Sequence, residues 1–320
     1  MRGGGIDNDL FEFLIFINSS TRFGVPIFIL CSGAMLLLKP VDDIGKFFRR
    51  RFSRVVVPFI FFVIVYELYK GTTDISLMLK DFYHKDVMFH LWFVYMILEM
   101  YLFVPIISGV IDTFSQQKLN YTFKVWLGIS ALATFSYAIR DGQLDTQFIV
   151  EFVGYFLAGW AIHNQKLNLP RLSGRATFFI LCAIVLLIAC LTIFYTSPLK
   201  MTSYYGLFCE PYSIAVVLGS LLMFKYFREQ EDFFRVHYKL SNFISQISTL
   251  TYGGYLIHVL ILLSLRPFFV NSDTFLAING VSFLIGHPVM ATLFWFMLTV
   301  ILSLAIIKIF KLIPVLRRFT

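Results

Sequence analysis

Apolar blocks of roughly 17 to 25 residues recur along this chain, and that is the length a helix needs to cross about 30 Å of hydrocarbon. The blocks are continuously apolar and lack the period-two alternation of outer-membrane strands. The expected fold class is therefore all-α, a polytopic transmembrane helical bundle. Composition agrees, with 58% hydrophobic and only 14% charged residues and a mean hydropathy of +0.77, outside the range of soluble domains. Nine spanning helices are expected, at 22–38, 55–69, 89–110, 123–138, 147–163, 177–195, 206–226, 247–265 and 289–312. The second is short and free to extend at either end. Residues 1–21 read as a short, partly polar leader, and 267–288 as a connection around His287-Pro288 that lies in the interface or re-enters. No repeat, low-complexity stretch or soluble-domain boundary interrupts residues 1–320, which read as one membrane domain.

The net charge of +8 does not imply nucleic acid as a partner, because no soluble domain is present to carry a basic surface. Topology accounts for it, since Lys and Arg accumulate in cytoplasmic loops. With the segment FFRRRFSRVVVP inside, 19 of the 27 basic residues fall on that side. The carboxy terminus is then inside and residue 1 outside. Because residues 1–21 carry no targeting pattern, a further helix is expected before residue 1. The four cysteines, Cys31, Cys182, Cys190 and Cys209, lie in or beside apolar blocks without metal-ligand spacing, so they read as core residues and no metal site is expected.

Two groups of residues could carry chemistry. Arg49, Arg50, Arg51 and Arg54 sit where an apolar helix opens at Val55-Val56-Val57-Pro58. Topology alone explains Arg49 and Arg50. Arg51 and Arg54 are one helical turn apart and can point to one spot, which suits the phosphates of a cytosolic donor. On the other side, Glu67, His90, Glu151, Glu210 and His258 fall toward the outer ends of their helices. Ionisable groups are expensive there and usually face a cavity or a partner. Together they could line a polar cavity that binds hydroxyl compounds and accepts a proton, or each could snorkel separately to water. Glu99 lies mid-helix in HLWFVYMILEMYLFVP and shares a face with Trp92 and Tyr95. That face is equally readable as a packing surface.

The segments RFGVPIFILCSG, FFRRRFSRVVVP, HLWFVYMILEMYLFVPII and ISTLTYGGYLIHVLIL, in this order, resemble acyltransferase family 3, the integral-membrane O-acyltransferases. The likeness looks strongest to the branch that includes the O-acetyltransferase of enterobacterial common antigen. FCEPYSIAVVLGSLLMFKYF and FIVEFVGYFLAGWAI fit that branch too. The resemblance implies acyl transfer from cytosolic acyl-CoA, usually acetyl-CoA, to a hydroxyl of an envelope glycan or lipid-linked saccharide. The donor is a substrate; no permanently bound cofactor is implied. Membrane lipids are the other partners, and the bacterial inner membrane is the implied location. The family's Arg-x-x-Arg motif maps onto Arg51 and Arg54, with Arg50 beside them, and His258 matches the histidine that often ends the late motif. His90, Glu99 and Glu210 join His258 as candidates at the acceptor end. Two departures stand out. No histidine here has a Lys or Arg eleven residues before it, so the family's first helix and its essential histidine are expected to be absent, leaving nine of ten helices. Ile97 also stands where many members have glutamate. Two other readings compete: a transporter or flippase for a lipid-linked sugar or small anion, and a catalytically incomplete fragment.

Overall fold

A computed structural model describes residues 8–139, 148–167, 169–170, 172–195, 208–269, 288–314 and 316–319. Among these residues the fold is helical throughout, as expected. Six stretches are long and apolar enough to cross a membrane: Glu12–Leu36, Ile44–Tyr69, Phe89–Thr113, Gly174–Phe194, Tyr238–Leu265 and Leu293–Leu312, with Phe152–His163 shorter. Their surfaces stay apolar away from the packing faces. Phe178, Phe179 and Phe194, for example, are exposed, as on a helix that meets lipid tails. Cys31 and Cys190 are exposed in the same way, so of the four cysteines expected in the core only Cys209 is buried.

Several boundaries differ from the sequence expectation. The supposed leader is helical from Asn8 to Thr21 (α1) and joins α2 (Gly24–Leu36), so the first apolar span starts at Glu12, not residue 22. The segment 123–138 lies in α7 (Gln116–Ile139), whose Lys118, Asn120 and Lys124 keep it outside the six apolar stretches. The segment expected as a helix from 206 begins only at Ile214, because Phe208–Ser213 forms turns around Pro211. Residues 270–287, including His287, lie outside the described residues.

The chain divides into two compact units. The first comprises Met1–Pro40 and Val104–Phe233, the second Val41–Phe103 and Phe234–Thr320. In the first, α2 packs along α8 (Phe148–His163), while α9 (Gly174–Tyr195) and α10 (Ile214–Glu229) complete the bundle with α1 and α7. The α2–α8 seam is set by two glycines. A Cβ on Gly33 would strike the backbone of Phe156, and one on Gly159 the backbone of Leu30. Small residues let the two backbones approach this closely, which is how helices gain packing energy where lipid offers no hydrophobic drive. Phe23, Ile188, Phe208, Cys209 and Val216 form a separate small core in this unit.

The second unit contains α3 (Ile44–Arg51), α4 (Val57–Tyr69), α5 (Ile75–His84), the start of α6 (Trp92–Val110), α12 (Tyr238–Phe269) and α13 (Pro288–Leu312), with the short α11 (Glu231–Val236) at its boundary. Asp43 caps α3 by accepting from the Lys46 N–H at 2.8 Å, and Asp74 caps α5 by accepting from the Ser76 N–H at 2.8 Å. The core is aromatic and branched: Phe59, Phe62, Val63 and Tyr66 from α4 meet Leu91 and Val94, then Leu256, Ile257 and Val259 from α12.

Candidate functional site

Pro58 shapes the arginine end of the second unit. It has no N–H to offer the preceding turn, and its ring crowds the carbonyl four residues earlier. The helix answers with a π-helical turn over Phe52–Val56, closed by the Val57 N–H donating to the Phe52 carbonyl. Such turns mark functional places more often than chance. A carbonyl inside this turn gains a further partner, because the Tyr252 hydroxyl donates to the Val55 carbonyl at 2.8 Å.

The wider turn opens the angle between positions three apart. Arg51 is half-buried, its guanidinium 5.8 Å from the Phe47 ring centroid and 5.7 Å from that of Tyr101, within cation–π reach. Arg49, Arg50 and Arg54 are exposed. So Arg51 is the pre-oriented member of the set, and the π turn splays Arg54 away from the single direction expected of an α-helical turn.

At the other candidate group, a tyrosine of α4 bonds the backbone of α12. The buried Tyr66 hydroxyl donates to the Leu256 carbonyl at 2.8 Å and accepts from the Leu260 N–H at 3.1 Å. Those two groups belong to one rung of the α-helix, and His258 lies midway between them. Its Nδ1 is 2.5 Å from the Tyr255 carbonyl, which fixes one ring nitrogen and leaves Nε2 as the chemically available one.

His90 stands against it. The two imidazole centroids are 5.0 Å apart at 79°, and the Tyr66 and Tyr255 rings complete the enclosure at 5.4 and 5.5 Å from His90. The Tyr255 hydroxyl donates to the His90 carbonyl. His90 is only 6% exposed. Neither of its ring nitrogens meets a partner in hydrogen-bonding geometry. Two imidazoles within reach of each other, one with both nitrogens unspent, can hold and pass a proton.

The acidic candidates are placed differently. Glu67 is fully buried and pairs through Oε1 with Lys70 Nζ at 2.7 Å, while Lys70 also reaches Asp81 Oδ2 at 2.9 Å. Burial alone would lower the Lys70 pKa; its hydrogen bonds to Glu67 and Asp81 more than reverse this and hold it above the usual value. Glu99 shares its face with Tyr95 as expected, but Lys85 holds it at 2.9 Å and also lies over the Tyr95 ring, 5.7 Å from its centroid. It stands two to three helical turns along from His90 and takes no part in the histidine cluster. Glu210 belongs to the first unit, half-buried in the turn before α10. The Glu151 side chain lies outside the described residues.

The model of acyltransferase family 3, described as an acyltransferase domain, matches residues 2–308. The chain belongs to this family. It is a membrane acyltransferase, in keeping with its six apolar spans. No curated protein and no solved structure matches it. In this acyltransferase the residues that sequence reasoning missed are the tyrosines. Tyr66, Tyr252 and Tyr255 each spend a hydroxyl on backbone beside a candidate group. The signal was present in TYGGYLIH, where two tyrosines precede His258 at helical spacing.

Proposed function

We propose that this membrane acyltransferase moves an acetyl group from cytosolic acetyl-CoA to a hydroxyl of an envelope glycan or lipid-linked saccharide, in the bacterial inner membrane. The reading rests above all on the paired histidines of the second unit, which supply a proton acceptor inside an otherwise apolar helix pair. Arg51, with Arg54 and Arg50, binds the CoA phosphates; guanidinium groups grip phosphate oxygens with two parallel bonds. The acceptor oxygen attacks the thioester carbonyl carbon, the C–S bond breaks, and CoA leaves as a thiolate. The proton lost by the hydroxyl goes to His258 Nε2 or, through it, to His90, and returns to the CoA sulfur.

Radiolabelled acetyl transfer from acetyl-CoA to an envelope glycan extract tests the reaction. Arg51→Ala should weaken CoA binding by about tenfold or more, the loss expected when a charged hydrogen bond to phosphate disappears. His258→Gln should cut turnover by about a hundredfold, as for a general base, with CoA binding unchanged. Wild-type protein that consumes no acetyl-CoA with any glycan, and binds CoA no better than Arg51→Ala, would sink the reading. Uptake of a lipid-linked sugar into vesicles without acetylation would favour transport instead.

A further inference from the structure

The first unit holds a second polar cluster, built where α1 ends and α10 begins. Arg22 Nη2 donates to Asn18 Oδ1 at 2.8 Å, one turn back. Asn18 in turn faces the Cys209 sulfur at 4.0 Å, which lies 3.6 Å from the Thr192 hydroxyl. Cys209 opens the turn that carries Glu210, Pro211 and Ser213, closed by the Ser213 N–H donating to the Glu210 carbonyl at 2.9 Å. Two outside contacts stake this turn: the Tyr155 hydroxyl donates to the Pro211 carbonyl at 2.5 Å, and the Ile214 N–H to Thr134 Oγ1 at 3.0 Å. The turn is thus fixed before any ligand arrives.

Polar capacity is left over at this place. Ser213 is fully buried, yet its Oγ has no hydrogen-bond partner, and Arg22 Nε is buried and equally unspent. Glu210 follows Cys209, which Asn18 links to Arg22, and no ion pair closes between the Glu210 carboxylate and Arg22 among the described residues. A guanidinium only donates and a carboxylate only accepts, whereas a hydroxyl does both. A carboxylate ligand would suit Arg22 and be repelled by Glu210; an ammonium would suffer the reverse. A neutral hydroxyl satisfies both groups.

We propose that Asn18, Arg22, Glu210 and Ser213 form a saccharide subsite, in which one sugar hydroxyl accepts from Arg22 and donates to Glu210 and a neighbouring hydroxyl bonds Ser213. This rests on the protein acting on a glycan, as in the transfer reaction above.

Saturation-transfer NMR on the full chain in nanodiscs, with methyl glycosides of hexoses and N-acetylhexosamines as probes, tests it. The wild type should bind at least one glycoside. Glu210→Gln and Arg22→Gln should each weaken that binding by about tenfold or more, because each leaves a buried partner unpaired. Ser213→Ala, the mildest change, should weaken it severalfold with unchanged thermal unfolding, which guards against misfolding in the charged variants. No glycoside binding by the wild type, stronger binding of acetate or methylamine than of any glycoside, or equal binding by wild type and all three variants overturns the subsite. Acetyl turnover by the same preparations separates the two readings. Turnover with variant-insensitive glycoside binding removes the subsite alone; variant-sensitive binding without turnover removes the transfer reaction alone.

Discussion

The α2–α8 seam of the first unit and the α4–α12 seam of the second solve the same problem in opposite ways. In the first, Gly33 and Gly159 bring two backbones into direct contact, so both helices remain regular. In the second, tyrosine hydroxyls reach across to backbone groups, at a π turn over Phe52–Val56 and at the Leu256–Leu260 rung of α12. Irregular backbone at membrane depth survives only where something else satisfies its polar groups. Tyr252 does so at the π turn, and the arginines and His258 sit where Tyr252 and Tyr66 act. The glycine seam is a joint without slack, whereas the tyrosine seam is held by side chains reaching to backbone.

Substitution should separate the two kinds of seam. The largest effect belongs to Gly33→Leu or Gly159→Leu, since the obstructing atoms are backbone and cannot rotate away. Each should cost at or above the ~3 kcal/mol upper end of overpacking, read as loss of monodisperse protein in detergent; normal folding of either variant would break the contrast. Tyr66→Phe comes next. It removes one hydroxyl and its two backbone contacts and costs about 1 kcal/mol in thermal unfolding. Acetyl turnover should fall further than stability does, because Tyr66 holds the α12 rung around His258 and packs against His90. Equal losses in both would make Tyr66 a packing residue only. Tyr252→Phe should cost about as much or less and show itself mainly in weaker CoA binding through the Phe52–Val56 turn. The smallest effect is at the Asp74 cap of α5. Hydrogen bonds from the Ser76 hydroxyl and N–H hold its carboxyl below the usual value of 3.8. That contribution is present above pH 3.8 and fades as pH falls through the lower folded value, so Asp74→Ala should flatten this part of the acid-unfolding curve.

Much of the fold was legible because lipid enforces a simple rule on sequence: an apolar run of sufficient length becomes a helix. The run before residue 22 was misread because Asn8, Glu12, Asn18, Ser19 and Ser20 look like a loop. In the structure, Ser19, Ser20 and Thr21 turn their hydroxyls back onto the carbonyls of Ile15, Ile17 and Asn18, which removes their cost inside a helix. The amphipathic α3 and α5 escaped for a related reason, being too short and too charged to register as spans. At the site, charged residues announced themselves and hydroxyls did not. His90 and His258 were paired only by tertiary packing across 168 positions, which no local spacing records. Glu99 seemed a lone intramembrane acid because the left-handed turn at Lys85 (φ 63°) that leads its lysine back to it has no sequence signature.

A π turn is an α-helix carrying one residue more than its length requires. Deleting a single residue between Phe52 and Val56 would let the helix close, turning every side chain on its amino-terminal side by about 100° relative to the buried face of α4. Arg51 and Phe47 would turn together and leave Tyr101, without any arginine being mutated. The counting of residues at this one place therefore acts as a mechanical setting, and a lineage that lost or regained that extra residue would re-index its basic face in a single genetic step.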